Sequence, residues 1–467
     1  MIIKRGSVKL ANVVFVLGIL FSTLIMIYAI YRINNPIYSF YLKEFADYPS
    51  VNKAGQLQYY IFSLCSGISA ILFYLGFRWL SDNLKVNLSI SIVLTIILTY
   101  SFEFYLEYPK IKQRVGVPYD MRSSISVLND LKDSGVIAYN NIYPNQLIES
   151  NGLETNKGRI YPLGGISNIT ISGKNESGYY PIIETDEHGF NNPEGLYKKN
   201  KVDILLLGDS FTEGETVYSD ENIGAVLRES DLNVISIGKG GNGPLLELSG
   251  LKEYGEPLEP NIVLWIYYQN DFNNLSESIN SSFLKKYLYD ENFSQNLIAR
   301  QDEIDKVLIN YIQRKLNLRD QKKLEKKLTE LVKKERLAYN ALIRITKLTN
   351  LRTRFKQILS PPHNRIVIKD EELKVFKHIL KRSKNMVTGW GGKLYFVYLP
   401  MVSIKDDNRE LILHTVNELN IPIIDLYNEM MISHDDPISF LPFRSHNHYN
   451  AKGYHYISKT IIKKINF

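Results

Sequence analysis

The stretch Val202–Gly214, which reads VDILLLGDSFTEG, decides how the rest of the chain can be arranged. It begins with a short apolar run rich in branched side chains, which ends at Gly208. This pattern is typical of a strand buried on both faces of a parallel sheet. A helical pattern follows over residues 222–229, so Ser210 is predicted to lie at the turn between a strand and a helix. Open α/β sheets bind their ligands at this end of the strands.

Two more apolar runs end in the same way. The run Val234–Ile237 is followed by Gly238–Pro244 (GKGGNGP), and the run Ile262–Ile266 is followed by Tyr267–Asp271 (YYQND). Near the end of the chain, a polar loop leads into His448–Tyr454 (HYNAKGY). Taken singly, these segments are typical of a glycine-rich turn, a capping asparagine and a surface histidine. Together they predict that three strand ends deliver Ser, Gly and Asn to one edge of a sheet.

This ordered set resembles the SGNH (GDSL-like) hydrolase superfamily, whose four sequence blocks supply Ser, Gly, Asn and His. Ser210 falls on the family's nucleophile, Gly241 on the glycine of the second block, Asn270 on the asparagine of the third and His448 on the general base. The segment Asp186–Asn191 (DEHGFN) also looks like the one that precedes Gly-Asp-Ser in membrane-anchored members. The resemblance covers roughly residues 181–467.

The resemblance implies a flavodoxin-like three-layer α/β fold with a parallel sheet, and an acyl-enzyme formed on Ser210. A serine hydroxyl needs a base before it can attack an acyl carbon, and His448 is the candidate. The oxyanion would be stabilised by the backbone N–H groups of Ser210 and Gly241 and by the side-chain amide of Asn270. Asp209 and Asp271 are assigned only to holding their turns.

The sequence departs from the family in one position. Members usually carry an aspartate three residues before the base, where this chain has Ser445. Two alternatives remain open. Ser210 and His448 could act as a dyad with a backbone carbonyl orienting the imidazole, or the acid could come from elsewhere, with Asp436 the nearest candidate. The departure also leaves room for an inactive, ligand-binding descendant.

Three long apolar segments precede this region, namely Leu10–Ile33, Tyr59–Leu80 and Val86–Leu106. Each is close to the ~20 residues that cross a bilayer core, and aromatic residues lie near their ends. They predict a membrane anchor over residues 1–107. The first segment is too long for a convincing signal peptide and lacks a small-residue cleavage site.

Basic residues around the spans predict the orientation. Lys4, Arg5 and Lys9 precede the first span, and Arg78 and Lys85 flank the second turn, which favours a cytoplasmic N-terminus. Everything after Glu107 would then lie outside the cytoplasm. Four basic residues just beyond the third span argue the other way, although long translocated domains tolerate such charges: Lys110, Lys112, Arg114 and Arg122.

The remainder divides into an α+β lead-in over residues 108–200, with a helix predicted at Ser124–Lys132, and the SGNH-like domain over 201–467. The lead-in shows no sequence signal for chemistry. An insertion at about 275–360 interrupts the second part with long charged helices, after which strands and helices alternate again. The predicted elements are a helix at Asp370–Met386, a strand at Lys393–Leu399, a helix at Arg409–Leu419, a strand at Ile421–Leu426 and a final helix from Ala451.

The net positive charge of the chain comes from the insertion. Residues 311–357 contain fifteen Lys or Arg against four acids, a local net charge of +11 compared with +7 for the whole chain. Leu324, Leu328 and Leu331 form an apolar stripe opposite lysines such as Lys322, Lys323, Lys326 and Lys327. The simplest interpretation is a solvated helix face, and the sharper one is a surface that attracts an anionic glycan or lipid headgroups. Nucleic acid is not expected as a partner, because no recognition module is present.

The sequence predicts neither a metal nor a cofactor. Cys65, the only cysteine, lies within the second span, so no disulfide or cysteine nucleophile is available to the domain. Two histidines, His446 and His448, lack a carboxylate cluster with ligand spacing, and Gly238–Pro244 lacks the ending of a phosphate loop.

Taken together, the sequence predicts a membrane-anchored serine esterase or O-acyltransferase outside the cytoplasm. Its expected substrates are ester-linked acyl groups, such as O-acetyl groups, of a polysaccharide or other glycan. The expected partners are that glycan, the lipid bilayer and, for a transferase, a membrane protein that provides the acyl donor. The alternative is a non-catalytic glycan-binding or export-assembly component that uses the same fold.

Overall fold

The structure is a computed structural model that describes residues 5–34, 53–114, 119–199, 201–315, 337–359, 368–402, 408–444 and 448–465, with Lys323 and Glu325–Lys327. The chain divides into two compact units. The first comprises Met1–Leu106 and Ile345–Leu351, and the second comprises Glu107–Arg344 and Arg352–Phe467.

The N-terminal helices are α1 (Arg5–Asn34), α2 (Lys53–Trp79) and α3 (Asp82–Arg114). Within the described residues, three helices are long and apolar enough to cross a membrane. Most of their leucine, isoleucine and aromatic side chains are exposed, as expected for helices whose apolar surface is covered by lipid. Helices α1 and α2 contact each other through the rings of Phe15 and Phe73, whose centroids lie 5.9 Å apart.

The second unit is built on a parallel sheet of five strands. Along the sheet the order is β6 (Val234–Ser236), β5 (Ile204–Leu207), β7 (Ile262–Tyr267), β8 (Lys393–Tyr398) and β9 (Ile423–Asp425). This is the flavodoxin-like order. All strands are parallel, and the direction in which successive strands are added to the sheet reverses at the switch point between β5 and β7. The predicted fold is therefore confirmed, with three N-terminal apolar helices ahead of an α/β domain.

Alternate side chains of the buried strands explain the three layers. Leu205 and Trp265 belong to a core on one face of the sheet, where α7 (Pro244–Gly250) and α13 (Asp370–Gly389) pack. Ile204 and Leu264 belong to a second core on the other face, with helices α6 (Ile223–Arg228) and α15 (Ala451–Ile465). Since strand residues alternate between faces, an all-apolar strand requires a helical layer on both sides.

Other α-helices within the described residues, in order, are α4 (Ser124–Asp133), α5 (Ser210–Glu213), α6 (Ile223–Arg228), α8 (Asp271–Ser278), α9 (Lys285–Tyr289), α10 (Gln301–Lys315), α11 (Leu337–Thr346), α12 (Thr349–Leu359), α14 (Arg409–Glu418) and α15 (Ala451–Ile465). The lead-in contributes two antiparallel hairpins, β1–β2 (Leu153–Thr155 and Gly158–Ile160) and β3–β4 (Thr170–Ser172 and Ile182–Glu184).

Part of the predicted basic insertion lies outside the described residues. This applies to Leu324, Leu328 and Leu331 of the apolar stripe and to Lys322. Of the described lysines there, Lys323, Lys326 and Lys327 are on a helical segment, and Lys323 and Lys326 are exposed.

Candidate active site

The serine loop lies at the carboxyl end of β5, as the sequence predicts. Asp209 accepts a hydrogen bond from the backbone N–H of Phe211 through Oδ1 (2.9 Å), which starts α5 at Ser210. The two neighbouring strand ends are tied to this loop. Asn270, after β7, donates Nδ2 to Asp209 Oδ2 (2.9 Å), and Asn242, after β6, donates Nδ2 to Gly208 O (3.4 Å). Three strand ends therefore meet at the Gly208–Ser210 turn.

Ser210 and His448 are brought together although 238 positions separate them. The Ser210 Oγ lies 2.8 Å from His448 Nε2. The other ring nitrogen, Nδ1, lies 2.8 Å from Glu176 Oε1, and the His448 backbone N–H donates to Glu176 Oε2 (3.2 Å). With Nδ1 donating to the carboxylate, Nε2 is free to accept the serine proton. This is the hydroxyl, imidazole and carboxylate arrangement of a catalytic triad.

The acid comes from the lead-in, through the turn Gly173–Gly178. The backbone N–H of Lys174 donates to Glu215 O (2.9 Å), and that of Gly173 donates to Pro181 O (2.8 Å). A side chain at Gly173 could not be accommodated, because its Cβ would lie 2.2 Å from Glu215 O. The lead-in is thus clamped onto the serine loop, and it presents Glu176 to His448.

His448 is held from its own side of the site as well. The Tyr449 hydroxyl, next in sequence, donates to Pro400 O, and the Asn450 backbone N–H donates to Phe440 O (2.8 Å). The His448 ring packs against the ring of Phe211, with centroids 4.7 Å apart. These contacts fix the imidazole just before α15 begins.

The charges around His448 favour its protonated form. Burial acts to lower the pKa of His448, but the hydrogen bond and negative charge of Glu176, helped by the charge of Glu215, outweigh burial and raise it. Glu215 is buried and accepts from the Tyr143 hydroxyl (2.5 Å) and pairs with Lys174 Nζ (2.6 Å). Burial acts to raise the pKa of Glu215, but the charges of Lys174 and His448 lower it overall, so this carboxylate is ionised. An imidazolium formed during catalysis would be stabilised here.

Gly241 and Asn270 occupy positions suited to an oxyanion site. Gly241 has φ +73°, in the left-handed region, and a Cβ there would lie 2.2 Å from Asn145 Nδ2. Only glycine fits this backbone. The Asn270 amide uses one N–H on Asp209, which leaves its second N–H for a ligand oxygen. Asn274, on α8, donates to Asn242 O (2.8 Å) and so links the second and third blocks.

A second group of carboxyls lies buried near these loops. Glu247 on α7 is 2% exposed and has no cationic partner among the described residues, and the indole N–H of Trp265 beside it lowers its pKa only slightly compared with burial. Burial, reinforced by the negative charge of Asp209, raises the pKa of Glu247 well above its usual value. Burial and the charges of Glu247 and Asp209 do the same for Asp271, whose Oδ2 accepts from Tyr268 N (3.1 Å). Burial therefore favours the uncharged form of Glu247.

Of the two alternatives left open for orienting His448, the structure shows an acid from elsewhere in the chain, but this acid is Glu176 and not the candidate Asp436. Asp436 pairs with Arg444 through both carboxylate oxygens (2.6 and 2.7 Å), not with His448. A backbone carbonyl is not the partner either, because Glu176 occupies Nδ1. Ser445 and His446 lie outside the described residues. The lead-in, whose sequence shows no signal for chemistry, contributes Glu176 to the site.

No sequence signal pointed to Glu176. It lies within Gly173–Gly178 (GKNESG), whose composition predicts a turn and nothing more. Glu176 precedes the segment Asp186–Asn191 in the chain, but nothing in the sequence distinguishes it from the other carboxylates nearby. Asp186 itself has a structural role, because its Oδ1 accepts from the backbone N–H groups of His188 and Phe190 (both 2.9 Å).

Within the part of the chain that the structure describes, no group of three or more His, Cys, Asp or Glu is placed to hold a metal ion. Cys65 is a free thiol in α2, away from the serine loop in sequence.

Comparison with known proteins gives no match to a family model and none to a curated protein. Solved structures that are similar include a protein described as lipolytic, of the G-D-S-L family, from Desulfitobacterium hafniense DCB-2 (12% identity, TM-score 0.31, 56% of this chain and 99% of that one). Others are the lipase/acylhydrolase from Enterococcus faecalis (13%, 0.29, 56% and 95%) and a mutant acetyl-xylooligosaccharide esterase from Geobacillus Stearmophilus (11%, 0.29, 57% and 94%).

Because the TM-scores are low, we transfer no residue role and no substrate from these proteins to this chain.

Proposed function

We propose that this chain is a membrane-anchored serine esterase or O-acyltransferase that acts on ester-linked acyl groups of an extracytoplasmic glycan. The observation that supports it most is the continuous hydrogen-bonded path from Ser210 Oγ through the His448 ring to Glu176. A serine without such a base is a poor nucleophile at neutral pH. The two distances of 2.8 Å are already those of functional hydrogen bonds.

In the first half-reaction, Ser210 Oγ attacks the acyl carbon while its proton passes to His448 Nε2. The carbonyl oxygen becomes an oxyanion, which the N–H groups of Ser210 and Gly241 and the free N–H of Asn270 would stabilise. Collapse of the tetrahedral intermediate breaks the bond between the acyl carbon and its leaving group, and the imidazolium gives its proton to that leaving group, which is the sugar oxygen in an esterase and the carrier of the acyl donor in a transferase. The product is an acyl-enzyme on Ser210.

In the second half-reaction, His448 removes a proton from the acceptor, which attacks the acyl-enzyme. Water as the acceptor gives an esterase, and a sugar hydroxyl gives an O-acyltransferase. Glu176 keeps Nδ1 protonated and offsets the positive charge of the ring in both halves. The O-acetyl group and the glycan substrate rest on the resemblance to membrane-anchored members of the superfamily.

The proposed location follows from the anchor. Three apolar helices would place the chain in the cell membrane as a multi-pass protein. With a cytoplasmic N-terminus, an odd number of spans leaves the second unit outside the cytoplasm. A transferase would need an acyl donor from the cytoplasm, and a partner membrane protein would provide it.

Covalent labelling tests the proposal. The full chain in detergent micelles is treated with a fluorophosphonate probe, and its hydrolysis of an aryl acetate is measured in parallel. We expect labelling and acetate release from the wild type and from Ser219→Ala, a control at another serine loop. We expect neither from Ser210→Ala. Wild-type labelling and activity no higher than those of Ser210→Ala would instead favour the alternative, in which the chain is a non-catalytic glycan-binding component.

The direction of transfer needs a separate measurement. In a strain that lacks the gene, acetyl groups on the surface glycan would be lost if the enzyme is a transferase and gained if it is an esterase. Complementation with Ser210→Ala should fail to restore the wild-type level in either case.

A further inference from the structure

A buried ion pair lies next to the serine loop. It joins Glu213, the last residue of α5, to Lys239 in the loop Gly238–Pro244, with Oε1 and Nζ 3.0 Å apart. Both side chains are at most 1% exposed. Removing two charges from water costs free energy, which a pair recovers only with good geometry and further hydrogen bonds. The proton path from Ser210 to His448 includes neither residue, so the pair has another role.

The ammonium group of Lys239 is fully used by acceptors within the protein. Its Nζ donates to Glu213 Oε1 (3.0 Å), to Asn141 Oδ1 (3.0 Å) and to Gly189 O (3.2 Å). An ammonium group has three donors, so none remains for a substrate. Lys239 is therefore a structural cation and not a ligand for the substrate.

Glu213 joins α5 to the loop that carries Gly241. Its Oε2 accepts from the backbone N–H of Gly240 (2.7 Å), the residue before Gly241. Its own backbone N–H donates to Asp209 O (2.9 Å), in the single helical turn that begins at Ser210. One side chain therefore fixes the peptide beside an oxyanion donor relative to the nucleophile.

The loop at Gly240 is a tight turn. Lys239 O accepts from the backbone N–H of Asn242 (3.1 Å), and Gly241, the third residue of the turn, has φ +73°. A positive φ at the third position is typical of a type II turn. The N–H of Gly241 belongs to the central peptide of this turn, so its direction depends on how the turn is held. The bond from Gly240 N–H to Glu213 fixes the peptide from which the turn continues.

The segment Asp186–Asn191 holds both partners of the ion pair. Gly189 O accepts from Lys239 Nζ, and Asn191 Nδ2 donates to Glu213 O (2.8 Å). The sequence alone assigns no task to this segment beyond its resemblance to other anchored proteins. Its contacts give it one, which is to support the loop that carries the oxyanion glycine.

We infer that Glu213 is a positioning residue for the oxyanion site and that Lys239 holds its carboxylate in place. Glu213 does not need to touch the substrate, because it acts through the Gly240 N–H on the turn at Gly241. The inference rests on the proposed acyl chemistry at Ser210. It adds to that chemistry a residue to which the superfamily resemblance assigns no role.

Steady-state kinetics of the full chain in detergent micelles, with an aryl acetate as substrate, test the inference. Glu213→Gln keeps the size of the side chain but turns one acceptor oxygen into an NH₂ donor. The amide cannot accept from both Lys239 and Gly240 as the two carboxylate oxygens do. We expect kcat to fall by about 10²-fold with KM nearly unchanged, as for a misplaced catalytic group.

A second variant separates positioning from a general loss of structure. Adding Lys239→Met to Glu213→Gln removes the ammonium group that opposes the amide, so the amide oxygen can accept from Gly240 N–H again. We expect kcat of this double variant to exceed that of Glu213→Gln by roughly tenfold. A double variant no faster than Glu213→Gln would contradict the inference.

Glu253→Gln is the matched control. Glu253 is 2% exposed, and its carboxylate accepts from the backbone N–H groups of Gln295 and Leu297, outside the serine loop. This variant should lower Tm and leave kcat unchanged. If Glu253→Gln and Glu213→Gln lowered kcat equally, the effect at Glu213 would be one of stability and the inference would be overturned.

Hydrogen exchange of the same proteins, followed by mass spectrometry, measures the positioning without a substrate. We expect the Gly240 amide, in a peptide that covers Gly238–Pro244, to exchange about tenfold faster in Glu213→Gln than in the wild type or in Glu253→Gln. If the wild type does not hydrolyse the ester, the proposed function fails, and the exchange rate still decides whether Glu213 holds the turn. Unchanged exchange in Glu213→Gln, or a kinetic change confined to KM, would overturn the inference.

Discussion

Two sets of carboxyl groups surround the serine loop, and they differ in how their oxygens are satisfied. Glu176 and Glu215 are bound by His448, Lys174 and Tyr143. Glu247 has no cationic partner among the described residues, and one oxygen of Asp271 has no hydrogen-bond partner among them. We call these the paired carboxylates and the unpaired carboxyls. Burial alone does not separate the sets, because Glu215 is as buried as Asp271.

The difference teaches that the neighbours of a carboxyl, and not its depth, decide its charge. The charges of Lys174 and His448 lower the pKa of Glu215 in spite of its burial, so the paired carboxylates can stabilise an imidazolium. The unpaired carboxyls lack cationic partners and burial raises their pKa values, so we expect them to serve the fold and not the chemistry. Changes at the first set should therefore alter rates, and changes at the second should alter stability.

The largest effect is expected at Glu176. Glu176→Gln keeps the size of the side chain but removes its charge and allows the wrong tautomer of His448. We expect kcat/KM for an aryl acetate to fall by about 10⁴, as when the orienting acid of a triad becomes an amide. Glu215→Gln is the control that lowers the charge without touching Nδ1, and it should cost much less. A loss below tenfold in Glu176→Gln would show that His448 needs no carboxylate.

The same variant should shift the pH dependence of any remaining activity. His448 must be neutral to accept a proton, so a raised pKa places the acidic limb of the profile above that of an ordinary histidine. Without the Glu176 charge, burial dominates and lowers the pKa of His448. The acidic limb of kcat/KM in Glu176→Gln should therefore move to lower pH, and an unchanged limb would contradict the assignment.

A smaller effect is expected at Asn270, which Asp209 orients. Asn270→Ala removes one oxyanion donor, and we expect kcat to fall by about 10²–10³ with little change in KM. Steady-state kinetics with a series of aryl acetates would measure it. Asn274→Ala, within the helix α8 that follows Asn270, removes only the bond to Asn242 O and serves as the control. A change confined to KM would mean that Asn270 binds the ground state.

At the unpaired carboxyls the effect should appear in stability. Burial raises the pKa of Glu247 in the folded protein, so the folded state holds this proton to higher pH than the unfolded chain does. The protonated Glu247 side chain makes its full contribution to the free energy of unfolding at a pH below 4.5, the pKa of this group in the unfolded chain. That contribution is lost as the pH rises through the pKa of the folded state. Glu247→Gln should remove that loss, and raise Tm relative to the wild type at pH 9 but not at pH 5.

Glu253 provides the matched control for this measurement. It is also buried, a few residues further along the same helical stretch, but its oxygens accept from the Tyr287 hydroxyl (2.5 Å) and from the backbone N–H groups of Gln295 and Leu297. Glu253→Gln weakens these charge-assisted bonds, so it should lower Tm at both pH values. If both variants behaved alike, the distinction between paired and unpaired groups would fail.

The sequence predicted those parts of the site that local patterns specify. The apolar run before Gly208 predicts a strand, and the strand places Ser210 at a sheet edge whatever the rest of the chain does. The membrane helices follow from length and hydropathy in the same way. His448 could be found because its surroundings resemble a known block.

Glu176 could not be found because its role depends on tertiary contacts alone. Nothing within Gly173–Gly178 indicates that its backbone is clamped against Glu215 O, or that His448 lies next to it. The same holds for the buried pair of Lys239 and Glu213 (3.0 Å), since a lone lysine in a glycine-rich loop predicts exposure. The periodicity of hydrophobic residues in a sequence gives no information on ion pairs between distant segments.

The smallest effect is expected at Asp436, where sequence spacing alone had suggested an acid. Its carboxylate forms a half-exposed ion pair with Arg444, and such pairs contribute about 0.2–1 kcal/mol. Asp436→Asn should therefore change kcat/KM less than about threefold and leave the acidic limb of the pH profile in place. Arg444→Gln, which breaks the same pair from the other side, should match it. A loss comparable with that of Glu176→Gln would mean that proximity in sequence had identified the acid after all, and that the Glu176–His448 contact is not the one used in turnover.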